Sequence, residues 1–220
     1  MILFSDVSKK VDNEVYLKNI SFKINRSEFV IIYDNHQKSL NVLCDLLYEN
    51  KEPSDGLIRI MNRYEKKSSL FDREIGVVYR ENILLPGRSI EQNYRFIMNV
   101  MGENRKYHRI RSKKILEIIG LSGDEDLLPS ELLPHQLVRA NIGQSLLFHP
   151  SIVIINDTTA KLDEVNSRAI FHLVEDINSL GITIVFLSSD KKLISHNKIR
   201  RVIYLKEGKI LAENNKGYYG

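Results

Sequence analysis

The sequence predicts an α/β fold with a β-rich lobe at its start and a helical insertion, and three observations carry that prediction. Ile152, Val153, Ile154 and Ile155 form a continuous β-branched run that ends on Asn156-Asp157. Such a run reads as a buried parallel strand, with the polar pair at the carboxyl end where α/β sheets place their ligand sites. The segment EFVIIY (28–33) leads directly into Leu40, Leu43, Cys44 and Leu47 at helical spacing, which is a strand–helix unit. From Ile90 to about Gly120 the pattern is helical only. Tyr94, Ile97, Met98 and Met101 share one face, and Ile115, Ile118 and Ile119 another.

Taken in order, ILFSDV (2–7), YLKNISFKI (16–24) and EFVIIY read as strands, with a turn at Asn25-Arg26-Ser27. Pro53 and Gly56 end the first helix, and LIRIM (57–61) and GVVY (76–79) resume as strands. After the helical stretch, Pro129-Ser130-Glu131 introduces a helix over roughly 136–148. The 152–155 strand is followed by a helix near 164–179, a strand TIVFL (183–187), a short helix and a hairpin RVIYLKEGKILAE. Without repeats or long linkers, this order predicts one domain over 1–220, with a helical subdomain at 87–148.

The chain is long enough, and at 43% hydrophobic residues apolar enough, to bury a full core. Its net charge is +4. The densest basic patch, Arg105 to Lys114 (RKYHRIRSKK), lacks the interleaved aromatic stripe of a nucleic-acid binder and reads as a solvated helix face, with attraction to an anionic membrane face as the alternative. No nucleic-acid partner is expected. The single cysteine, Cys44, excludes an intramolecular disulfide, fits a reducing compartment, and reads as core. MILFSDVSKK does not read as a signal peptide, and no apolar run approaches the ~20 residues of a membrane span. A soluble, cytoplasmic chain is expected. His36 and His135 lack a cluster with ligand spacing, so no metal site is expected, and Glu28 and Glu164 read as surface or capping residues.

The stretch SIVIINDTTAKLDE (151–164) resembles the Walker B strand and D-loop of ATP-binding cassette (ABC) ATPases, and the order and spacing of elements fit that family over nearly the whole chain. MILFSDVSKK, REIGVVYRENILLPGRSIEQN and HPSIVIINDTTAKLD are similar to its bacterial cell-division subfamily, FtsE. The lipoprotein-release and macrolide-export ATPases share much of the pattern. The resemblance implies a P-loop NTPase-like fold with an N-terminal antiparallel β lobe and a helical subdomain, and it implies ATP and Mg²⁺ as ligands.

Measured against that family, the nucleotide motifs are substituted throughout. A phosphate loop G-x-x-x-x-G-K-[ST] needs glycines to let backbone N–H groups curl round phosphate, a lysine for charge and a hydroxyl for Mg²⁺. Here it reads Asp34-Asn35-His36-Gln37-Lys38-Ser39-Leu40-Asn41-Val42, with Asp34 and Ser39 at the glycine positions, Leu40 at the lysine and Asn41 at the hydroxyl. A second register takes Lys38-Ser39 as the Lys-Ser pair and puts its first glycine at Ile32. Asn156 stands at the Walker B carboxylate, and Asp157 at the general-base glutamate, one methylene short. Strand capping, with hydrogen bonds to the following turn, is the simpler role for that pair. Arg80 stands at the Q-loop glutamine, Ser189 at the switch histidine, and Val11 where an aromatic would stack on adenine. The signature segment reads Leu132-Leu133-Pro134-His135-Gln136, so Leu133 offers no hydroxyl and Pro134 no N–H to a nucleotide on a partner subunit. Asp163, in the D-loop, keeps family-like chemistry.

These substitutions predict a pseudo-ATPase with no expected cofactor, in which ATP and Mg²⁺ stand by resemblance alone. The resemblance also implies a groove that receives a segment of a membrane protein, here Arg80, Glu81, Leu84, Leu85 and Tyr94, continuing along Met98 and Met101. The expected partner is an FtsX-like integral membrane protein. The chain would then lie peripherally at the inner face of the cell membrane, as a homodimer or a heterodimer with another ABC ATPase subunit. The alternative is a divergent subunit of the lipoprotein-release or macrolide-export type that binds nucleotide or hydrolyses ATP slowly.

Overall fold

Period-two alternation inside the apolar runs builds the centre of the molecule. In the computed structural model, which describes residues 2–61, 74–191 and 200–214, the EFVIIY run becomes β3 (Phe29–Tyr33), the IVII run β6 (Ile152–Asn156) and TIVFL β7 (Thr183–Ser188). Phe29, Ile31, Val153, Ile155, Ile184 and Phe186 face one core, and Val30, Ile32, Ile152, Ile154, Val185 and Leu187 the other. Strands buried on both faces can afford this near-absence of polar residues. With β5 (Ile75–Val78), β8 (Arg201–Lys206) and β9 (Lys209–Asn214) they form a six-stranded sheet of order β5-β6-β7-β3-β8-β9. It is parallel except for the closing β8–β9 hairpin.

The β-rich start is an antiparallel sheet of order β2-β1-β4, made of β1 (Ile2–Val11), β2 (Glu14–Ile24) and β4 (Asp55–Ile60). Together with α1 (Gln37–Leu47) it covers one face of the large sheet; Phe4 and Phe22 stack there at 4.5 Å. The other face is covered by α5 (Glu164–Ser179) and by three helices between β5 and β6: α2 (Ile90–Val100), α3 (Arg105–Ile118) and α4 (Pro134–Leu146).

Caps set the helix starts. Ser89 and Gln92 form a capping box on α2, Asn104 accepts from Lys106 N–H on α3, and Asp163 accepts from Asn166 N–H on α5. Each such cap contributes about 1 kcal/mol. Pro129–Glu131 is a separate 3₁₀ turn rather than the start of the next helix. The helix begins at Pro134, because a proline in the first turn needs no N–H acceptor, and it ends earlier than expected, at Leu146. The short helix expected after TIVFL falls largely outside the described residues. Glu28 departs from its surface reading. It is buried, its carboxylate accepts from Asn25 N–H at 2.7 Å, and it pairs with Arg201 at 2.8 Å, because Arg201 reaches back from β8 beside β3.

Candidate functional site

The carboxyl ends of β3, β5, β6 and β7 bring Asp34, Arg80, Asn156, Asp157 and Ser189 to one edge of the sheet, next to the first turn of α1. This is where an open α/β sheet places a ligand. The residues there satisfy one another. Asn156 Nδ2 donates to Asn41 Oδ1 at 2.9 Å, and Gln37 Nε2 donates to the same oxygen at 3.1 Å. Arg80 Nη1 donates to Gln37 Oε1 at 2.8 Å and lies 3.3 Å from Asp157 Oδ2. Ser189 closes the set. Its N–H donates to Asp157 Oδ1 at 2.8 Å, and its hydroxyl lies 3.0 and 2.9 Å from the two carboxylate oxygens. The pair 156–157 therefore does not bond the following turn through its side chains; it reaches across to α1 and to the segment after β7.

Asp157 is fully buried and takes a left-handed backbone, φ 49°, which aspartate tolerates better than most residues. Burial pushes its carboxyl above the ordinary value, against the Ser189 hydrogen bonds and the Arg80 charge that pull it down. Asn156 Oδ1 is buried without a hydrogen bond among the described residues.

The loop at 34–39 runs into the first turn of α1 with one of its N–H groups held by its own carboxylate. None of its residues has a positive φ, so Asn35, the residue best suited to one, does not adopt it. His36 N–H donates to Asp34 Oδ1 at 2.9 Å, and Ser39 and Leu40 N–H both donate to His36 C=O. The Asp34 carboxylate thus takes a backbone donor that a phosphate cradle would offer outward. Asp34 is fully buried, and burial raises its carboxyl above the ordinary value. Leu40, at the lysine position, packs in the core, while Lys38 is exposed. A cleft of about 590 Å³ does run past this loop, lined among others by Tyr16, Lys18, Lys38 and Gly208. Tyr16 and Lys18 were not anticipated as cleft residues. Val11, the residue expected at the adenine position, is not among its lining.

The signature segment sits at the start of α4. Leu133 is its exposed N-cap with Pro134 behind it, and Gln136 is spent on Leu133 N–H (3.0 Å) and Asp124 (3.0 Å). His135 lies close enough to Asp163 to help hold that carboxyl below its ordinary value, although the main cause is the hydrogen bond from Asn166 N–H. Asp163 itself is a helix cap. No group of three or more possible metal-ligating residues occurs among the described residues.

The expected docking segment divides. Leu84, Tyr94 and Met98 are buried in the core, with Tyr94 Oη donating to Ala140 C=O at 2.8 Å, so they do not present an exposed contact. Arg80 belongs to the polar network. What remains at the surface is Glu81, Ile83 (42% exposed) and Leu85 (38%), with Phe96 and Val100 on the outer side of α2. Two buried asparagines hold this segment, and sequence reasoning passed over both. Asn93 exchanges hydrogen bonds with the Leu85 backbone (2.7 and 3.2 Å), and Asn141 contacts Ile83 N–H at 3.4 Å and Asn82 at 3.2 Å. Their signal is a polar residue on an otherwise apolar helix face.

A doubly covered parallel sheet, an antiparallel lobe beside α1 and helices inserted between β5 and β6 define a P-loop NTPase fold of the ABC type. No protein-family model matches the chain. It is 29% identical over 227 residues to the cell division ATP-binding protein FtsE of Streptococcus pneumoniae, covering 100% of this chain and 98% of that protein. It is 28% identical over 226 residues to FtsE of Bacillus subtilis, covering 100% and 99%. Among solved structures, cbiO1 from Clostridium perfringens, part of the ABC transporter complex cbiONQ, superposes with a TM-score of 0.87 at 24% identity over 98% of this chain and 88% of that one. Over its whole length the chain is similar to ABC ATP-binding proteins, and its fold is that of the ABC ATPase cassettes.

ATP and Mg²⁺, which that family implies, do not fit the residues present. Asp34 takes the His36 N–H, the residue expected at the lysine position is a core leucine, and Asn41 and Asn156, expected on the Mg²⁺ side, are neutral amides bonded to each other. Of the two buried carboxylates at this edge, Asp157 is paired with Arg80. No helix among the described residues is long and apolar enough to cross a membrane.

Proposed function

We propose that this chain is a non-hydrolysing ABC-type subunit that works as a binding module for a membrane protein. The observation that carries the reading is the closed network from Asn41 and Asn156 through Gln37 and Arg80 to Asp157 and Ser189. Hydrolysis needs a base near a bound water and charge stabilisation on the transferring phosphoryl group. The base position here is a buried carboxylate already held by three groups, and the cation beside it is bonded to Gln37 and Asp157. The partner surface is the segment Glu81–Leu85 with the outer side of α2, presented by Asn93 and Asn141. The helices of 87–148 act as one subdomain that carries it.

The FtsE relatives support a partner of the FtsX kind, with a cytoplasmic chain peripheral at the inner face of the cell membrane and a role in cell division or cell-wall hydrolase control. Pairing with an intact ABC subunit would leave each composite site short of one half, cradle or signature, and a homodimer would lack both at each site. The test combines Mg-ATP calorimetry on the purified chain with capture of the membrane partner. Absent nucleotide heat together with retained partner capture supports a scaffold.

One observation favours a second reading, in which nucleotide binds without turnover. The cleft beside 35–39 still offers Lys18 and Lys38, the only lysines of its lining among the described residues. In that case Lys38→Ala abolishes binding.

A further inference from the structure

The outer face of α3 is chemically unlike an ordinary solvated helix. Its inner side, His108, Ser112, Ile115 and Leu116, is buried. On the outer side Lys106, Arg109, Lys113 and Lys114 are exposed and make no ion pair among the described residues. Arg105, Arg109 and Lys113 follow one another at i,i+4, and Lys106 and Arg109 at i,i+3, so like charges adjoin along the helix and repel instead of pairing. Glu117 is the one acidic residue of α3. Amid these cations stand two large apolar side chains facing outward, Ile110 at 70% and Tyr107 at 54% exposure, with Lys106 Nζ 4.7 Å over the Tyr107 ring. The cavity of about 370 Å³ beneath is lined by Arg95, Arg109 and Lys113 but also by Glu91, Glu125 and Asp126, so it is balanced in charge and is not itself an anion site. Arg109 and Lys113 share that cavity with acids, so the unbalanced charge of the outer face is centred on Lys106 and Lys114.

We propose that this face of α3 adsorbs directly to a bilayer rich in anionic phospholipid. Charge complementarity selects the occupant class: unpaired lysines and arginines gain from a negative surface, and each loses little by keeping its head hydrated. Ile110 and Tyr107 select the bilayer over nucleic acid. An isoleucine gains nothing against a phosphate backbone but gains burial in the headgroup–acyl boundary, where tyrosine also sits well. The helix adsorbs rather than inserts, since its apolar side is already committed to the core. This contact is separate from the partner surface at Glu81–Leu85 and does not depend on the state of the nucleotide site.

Flotation of the purified full chain with vesicles, without any partner protein, tests it. The expected result is co-flotation with vesicles of equal parts phosphatidylglycerol and phosphatidylcholine at about 0.1 M salt, lost at about 0.5 M, and none with phosphatidylcholine alone. Lys106→Ala, Lys113→Ala and Lys114→Ala should each weaken partition roughly fivefold, the factor equivalent to ~1 kcal/mol. Ile110→Asp should weaken it further at unchanged thermal midpoint, because the site is exposed. Equal flotation with neutral vesicles, flotation of a combined Lys106→Ala/Lys113→Ala/Lys114→Ala variant at the wild-type level, or binding of single-stranded RNA in place of anionic vesicles would each overturn the proposal.

Discussion

Arg80 Nη1 lies 3.3 Å from Asp157 Oδ2, and the same nitrogen donates to Gln37 Oε1 at 2.8 Å. One guanidinium thus bridges the segment after β5, the end of β6 and the first turn of α1. These are the elements that meet at the ligand edge of the sheet. Arg80 also stands immediately before Glu81–Leu85, so the residue paired with Asp157 also leads into the segment proposed to meet the partner.

Removing Arg80 should therefore cost more than a surface ion pair would. Arg80→Ala leaves the Asp157 carboxylate fully buried with only Ser189 as partner. The expected destabilisation is roughly 1–3 kcal/mol, below the value for a fully buried pair because Arg80 is partly solvated. Urea unfolding measures it. The double variant Arg80→Ala/Asp157→Asn should recover part of the loss, since no charge is then stranded.

The pH dependence of stability should carry the mark of two buried carboxylates. Asp34 and Asp157 both have folded-state values raised by burial. The folded chain therefore holds protons that the unfolded chain releases. The stabilising contribution is full below the ordinary carboxylate value and is lost as pH rises through the raised one. Asp34→Asn should raise the urea midpoint at pH 7 and flatten the slope across that window; an unchanged slope would show that Asp34 does not titrate there.

Partner binding and folding should separate within two adjacent residues. Leu85→Asp places a carboxylate at a half-exposed contact and should weaken capture of the membrane partner by at least ~10²-fold with little change in stability. Leu84→Asp, four per cent exposed in the core, should cost about 4 kcal/mol or more and reduce folded protein. Pull-down and circular dichroism on the two variants distinguish these effects.

Much of the fold is legible in the sequence because it depends on local periodicity. The run at 152–155 and the apolar spacing of 164–179 specify β6 and α5 almost to the residue. The site's location is legible for the same reason, since strand ends mark the carboxyl edge. Its internal partnerships are not. Asn156 finds Asn41 across 115 positions, and Arg80 finds Gln37 across 43, distances over which composition and spacing carry no information. Nor does an apolar residue announce whether it meets a core or a partner. Leu84 and Leu85 are identical in type, yet with Leu84 N–H held by Asn82 and Leu85 N–H by Asn93, only Leu84 turns inward.

The function of Asp157 separates a scaffold from an enzyme in cells. Asp157→Asn removes the last candidate base while keeping a side chain that still hydrogen-bonds Ser189. Complementation by this variant should equal wild type. A null phenotype with partner binding intact would mean that residual catalysis matters.

The most direct measurement is isothermal calorimetry of Mg-ATP, or a non-hydrolysable analogue, against the purified chain. The His36 N–H taken by Asp34, the buried Leu40 and the Asn41–Asn156 bond lead to an expected result of no saturable heat in the micromolar range. A saturable micromolar isotherm that disappears in Lys38→Ala would contradict the closed-site reading.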